Sequence, residues 1–182
     1  MVEVHKVSGA AFDGNVYLIL DKRPILVDAG MMAAPTLRNI KKFIDPAKIE
    51  MIVLTHCHHD HSGAAPELKA PAYEVDETLK EGMVLDTGEW KLEVMETPGH
   101  STGSLCLYEP QAKVLFSGDT VFPDGNIGRT DMYGGSTPDL VASIERLTGI
   151  DVEIMYPGHM EITGRDVKKQ IEMSLRFAKS ML

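Results

Sequence analysis

Residues 55–61 read Thr55-His56-Cys57-His58-His59-Asp60-His61 and follow directly on the apolar run Met51-Ile52-Val53-Leu54. Two imidazoles one residue apart, His56 and His58, cannot be a helical pair, because helix neighbours lie three or four apart. They fit a tight loop leaving a strand, after which Asp60 and His61 can turn toward a second position. Such titratable groups at a strand end cost desolvation unless something binds them. Further along, His100, Asp119 and His159 stand singly in Gly-flanked segments, His100 and His159 both as Pro-Gly-His. Glycine there lets the backbone approach closely, and proline stiffens the chain ahead of the His. A catalytic zinc takes three or four His or carboxylate ligands and keeps a position for water. Five His and two Asp, one carboxylate being shared, therefore suffice for two divalent ions. Zinc is the first expectation, and iron or manganese can use the same ligands.

Outward from this loop, the pattern repeats. Val2, Val4 and Val7, then Val16 to Leu20 and Ile25 to Val27, alternate or run apolar between turn residues such as Asp13-Gly14-Asn15, which predicts antiparallel strands. Leu37, Ile40 and Phe43-Ile44 predict a helix over 36–44, stopping at Asp45-Pro46 and crossing to the strand that carries the loop. In the second half, a strand at 92–96 delivers His100, a strand at 114–116 delivers Asp119, and a strand at 152–156 delivers His159. Rigid strand ends fix functional groups while the loops vary. Ser136 or Thr137 caps a helix with Pro138 in its first turn, and a last helix runs over about 166–180. Two sheets between outer helices pack this order best.

The chain of 182 residues is expected to form a single domain over 1–182, and no linker or low-complexity tract divides it. The net charge of −9 and the lack of a Lys/Arg cluster argue against a nucleic-acid partner, since phosphate binding needs clustered cations. The start lacks a signal-peptide pattern and no apolar run is long enough for a membrane span, so a cytoplasmic location without membrane association is expected. Cys57 and Cys106 have no sequence support as a disulfide, and Cys57 is expected to be a buried, inert thiol pointing away from its neighbours. Asp28, ending a buried strand, is the expected acceptor for the outer N–H of a metal-bound His. His59 is expected to be exposed or a supporting contact, and His5 a plain strand residue.

The motif Thr-His-x-His-x-Asp-His at 55–61, with the later His, Asp and His in order, resembles the metallo-β-lactamase superfamily over essentially the whole chain. The resemblance implies an α+β fold, a four-layer αββα sandwich. It places one metal on His56, His58 and His100, a second on Asp60, His61 and His159, and Asp119 across both. Gly118 to Phe122 and Gly125 to Asp131 resemble the glyoxalase II group, the hydroxyacylglutathione hydrolases and their small relatives. Full-length members of that group carry a C-terminal helical region that helps hold glutathione, and here only about twenty residues follow His159.

The expected activity is that of a metallo-hydrolase, a hydroxyacylglutathione hydrolase-like thioesterase acting on a small anionic acyl thioester or ester. Two cations sharing a water lower its pKa toward neutrality and so provide a hydroxide nucleophile. Asp60 is the expected catalytic residue, orienting that hydroxide or carrying its proton. Arg129, Tyr133 and Tyr156 are candidates for substrate binding, Arg129 being equally able to pair with Asp131. The principal rival is a mononuclear non-haem iron persulfide (sulfur) dioxygenase of the same superfamily. Those enzymes resemble this chain at Thr55 to His58 and at Gly128-Arg129-Thr130-Asp131, and the resemblance puts iron on His56, His100 and Asp119. An RNA-processing nuclease would need a basic surface this acidic chain does not offer, and a non-catalytic binding protein would tend to lose ligands where here none is missing.

Overall fold

The structure, a computed structural model, describes residues 1–9, 12–68 and 78–182. Packing groups the chain into two compact units, Met1–Leu79 with Leu85–Lys91, and Lys80–Val84 with Leu92–Leu182.

The first unit is built on a four-stranded sheet in the order β1 (Glu3–Ser8), β2 (Val16–Leu20), β3 (Ile25–Val27), β4 (Met51–Val53). The first two pairings are antiparallel, as the short turns require, and β3 with β4 is parallel because helix α1 (Ala33–Ile40) crosses over between them. α1 buries Ala33, Thr36 and Ile40, and its apolar face joins Val7, Val16, Leu18 and Leu26 in one core. A helix over 36–44 was expected. It begins at Ala33 instead, Pro35 being tolerated in the first turn where its missing N–H has no intrahelical partner to lose, and it ends at Ile40. Beyond β4 lie two one-turn helices not foreseen from the sequence, α2 (His59–Ser62) and α3 (Ala65–Leu68).

The second sheet has the order β5 (Val84–Asp86), β6 (Lys91–Glu96), β7 (Leu105–Glu109), β8 (Val114–Gly118), β9 (Ile154–Pro157). β6, β7 and β8 form an antiparallel meander, and β8 pairs parallel with β9 after the crossover helix α4 (Thr137–Leu147). The Ser136 side chain accepts from the Asp139 N–H and so caps α4, with Pro138 in the first turn as the sequence predicts. α4 and α5 (Val167–Ser180) bury Leu140, Ile144, Leu147, Val167 and Ile171 against Leu115 and Met155. Each such side chain contributes roughly 1.5–3 kcal/mol when fully buried. Among the described residues no helix is long and apolar enough to cross a membrane.

Candidate metal centre

In the first unit, β3 and β4 deliver a ring of fixed hydrogen bonds. Asp28 follows β3 with left-handed backbone, φ 62°, a conformation Asp tolerates better than most residues. Its N–H bonds to Val53 O at 2.7 Å, and its buried carboxylate accepts from the Thr55 N–H at 2.7 Å and the Thr55 hydroxyl at 2.9 Å. The same carboxylate lies 2.8 Å from His61 Nδ1. Since an ionised carboxylate only accepts, His61 carries its proton on Nδ1 and turns a lone pair outward at Nε2. The Thr55 hydroxyl donates to Asp28, so it accepts from His56 Nδ1 at 3.1 Å, and His56 is left with the same tautomer. The rings of His56 and His61 stand 4.2 Å apart, those of His56 and His58 4.8 Å, and His61 Nε2 is 3.6 Å from Asp60 Oδ2.

In the second unit the candidate ligands come singly. Arg129 O accepts from His100 Nδ1 at 2.7 Å, which again leaves Nε2 as the lone-pair nitrogen. Asp119 Oδ2 stands 3.5 Å from His100 Nε2 and 3.5 Å from His159 Nε2, so one carboxylate serves two imidazoles. Gly158 makes this possible: a Cβ there would stand 2.1 Å from Asp119 Oδ1. Behind His100 and Asp119, Thr97 and Thr120 share a 2.8 Å hydroxyl bond, both next to the buried Cys106 thiol.

Among the described residues, three groups of side chains offer ligand atoms within 4.8 Å of one another: His56, His58 and His100; His56, His61 and Asp119; Asp60, His61 and His159. The donor set fits divalent metals on its chemistry. Imidazoles whose second nitrogen is held by a carboxylate, hydroxyl or carbonyl are the usual metal-ligating form, with ring orientation and tautomer set in advance. Two His/Asp clusters suited to a dinuclear centre are therefore present.

A model of the metallo-beta-lactamase superfamily matches residues 9–73 and 69–159. The chain belongs to this superfamily. The hydroxyacylglutathione hydrolase of Enterobacter sp. (strain 638) is 36% identical over 178 residues, 89% of this chain and 68% of that protein. Among solved structures, TTHA1623 in a di-iron-bound form is 27% identical with a TM-score of 0.73, over 95% of this chain and 96% of that one. ETHE1 from Myxococcus xanthus shares the fold at 21% identity and a TM-score of 0.74, over 98% and 91% of the two chains. The chain thus has the superfamily's α+β sandwich, two mixed sheets flanked by helices, and is a metal-dependent enzyme of this superfamily.

Asp28, expected to accept the outer N–H of a metal-bound His, lies 2.8 Å from His61 Nδ1 and reaches His56 through the Thr55 hydroxyl. Arg129 makes a two-pronged ion pair with Asp131, Nε to Oδ1 at 2.9 Å and Nη2 to Oδ2 at 2.8 Å, and this pairing raises its pKa. Tyr133 is fully exposed. Tyr156 stacks on Phe116 with ring centroids 4.8 Å apart, and burial pushes its hydroxyl pKa up. Cys57 is exposed, against the expectation of a buried thiol, because the chain between β4 and α2 turns that side chain outward. His59 is exposed as expected, and His5 lies in β1, stacked on Phe43 at 3.9 Å. The sequence reading did not foresee the roles of Thr55 or of the Arg129 carbonyl. Thr55 was visible as the fixed residue opening the motif, whereas a backbone carbonyl leaves no sequence signal.

Proposed function

We propose that the chain, acting as a single domain, is a non-haem iron dioxygenase that oxidises the sulfur of a small persulfide. Its iron ligands are His56, His100 and Asp119, with His58 beside them and Asp60, His61 and His159 as a second metal position. Iron held by two imidazoles and a carboxylate would supply the redox chemistry that dioxygen and a sulfur substrate require. The chain's own part is orientation. Thr55 and Arg129 O fix the tautomers of His56 and His100, so both Nε2 atoms are ligands without further proton movement.

The observation that carries this reading is the state of residues 128–131. This segment, the one that resembles the sulfur dioxygenases, holds a ligand in place through the Arg129 carbonyl while its guanidinium is tied to Asp131. Arg129 therefore serves the metal ligands, and an anionic acyl group finds its expected clamp already engaged. That TTHA1623, 27% identical to this chain, is found in a di-iron-bound form supports iron as the metal. Oxygen uptake by the iron-loaded protein with a small persulfide, and no cleavage of acyl thioesters, is the expected result. Thioester cleavage without oxygen uptake would overturn it.

The second reading is thioester hydrolysis, with Asp60 orienting the nucleophilic water. It is favoured by the 36% identity to a hydroxyacylglutathione hydrolase. In that case a panel of acyl thioesters separates substrates, and Asp60→Ala abolishes turnover.

A further inference from the structure

The turn between β1 and β2 contains a carboxylate that the metal chemistry does not use. Asp13 is only 9% exposed. Its Oδ2 accepts from the Ser8 hydroxyl at 2.6 Å and its Oδ1 from the Met31 N–H at 2.7 Å. A buried carboxylate needs donors for its oxygens, and here the surrounding chain supplies them.

Three segments meet there in pairs. The Gly14 N–H donates to Asp60 O at 3.1 Å, which ties the turn to α2. The Ala29 and Gly30 N–H groups both donate to His61 O, at 2.7 and 3.1 Å, which ties the segment after β3 to α2. Asp13 closes the third side, joining the turn to Met31. Gly14 also backs directly on the ligand ring, since a Cβ at this position would lie 2.9 Å from His61 Nε2 and 2.7 Å from Asp60 O. The backbone of the two adjacent ligands Asp60 and His61 is thus gripped from both sides, and Asp13 is the side chain that joins the two grips.

We infer that Asp13 is a positioning residue for the metal position of Asp60 and His61, acting through the turn at Gly14. The inference rests on the two-position reading of the ligands and is independent of which reaction the enzyme performs. It is also separable from charge. In Asp13→Asn the amide oxygen still accepts from Met31 and its NH2 can donate to Ser8, so the triangle stays closed. In Asp13→Ala that side is open.

The test is calorimetric titration of chelator-stripped full-length protein with Zn2+, on wild type, D13A and D13N, with thermal unfolding of each stripped protein alongside. Wild type takes up two ions. D13A retains the first step and weakens the second by about ten-fold or more, the scale on which supporting contacts act on a metal, while D13N stays close to wild type. Wild type taking up two ions with D13A unchanged overturns the inference, as does D13A weakening both steps equally or D13N failing as badly as D13A. Wild type taking up fewer than two ions overturns the two-position reading itself and the inference with it. If D13A does not fold, D13N together with Ser8→Ala decides: S8A leaves the Met31 bond in place, so both variants must keep the second step.

Discussion

The two units supply their candidate ligands by different means. In the first, one loop and the one-turn helix after it carry His56, His58, Asp60 and His61, and a single carboxylate, Asp28, orders two of them at once. In the second, His100, Asp119 and His159 follow three separate strands, and backbone does the ordering: a carbonyl for His100 and the bare Cα of Gly158 beside Asp119. A clustered supply shares its supports, so one outer substitution reaches several ligands. A dispersed supply depends on each approach of the backbone.

This contrast can be broken by substitution. The largest effect is expected at Asp119, whose Oδ2 serves both His100 and His159. Asp119→Ala should lose bound metal and bring turnover to background, read by elemental analysis and assay together. Asp28→Asn comes next. Its amide cannot accept everywhere Asp28 does, so His61 and, through Thr55, His56 lose their fixed tautomers, and metal affinity should fall about 10–100-fold in competition titrations.

Gly158→Ala sharpens the dispersed side. The added methyl meets Asp119 Oδ1, so stability should fall by about 1–3 kcal/mol in denaturant unfolding. Gly103→Ala, where a Cβ meets nothing within 4 Å, should leave unfolding and metal affinity as they are.

The smallest effect concerns Asp21, far in sequence from either ligand set. Partial burial works to raise its pKa, but bonds from the Trp90, Lys22 and Glu89 N–H groups and the Thr87 hydroxyl outweigh it and hold the carboxyl below its ordinary value. Such a group stabilises the fold at pH above the unfolded carboxylate value of about 4 and loses that contribution as pH falls through the lower folded value. Asp21→Asn should therefore cost about 1 kcal/mol at neutral pH, with the wild-type and variant unfolding midpoints converging in acid.

Much of this was legible in the residues. Period-two strands and the Ser136 cap set most elements to within a residue or two, because alternation and capping are local signals. The seven candidate ligands stood out because His and Asp at strand ends have little other use there, and the structure brings them into groups that could hold a metal. Three-residue β5 and one-turn α2 and α3 were not, since so short a run of Val84-Leu85-Asp86 carries no periodicity. Nor was the exposure of Cys57, which depends on where the turn into α2 begins, or the grip of Asp13 on Met31, which joins residues 18 positions apart.

The central claim is that these clustered His and Asp side chains hold two metal ions, and equilibrium titration of the stripped protein with simultaneous elemental analysis tests it most directly. Two ions per chain, and none retained tightly by Asp119→Ala, is the result the structure predicts. A chain that binds no ion, or that keeps full turnover after chelation, would contradict it.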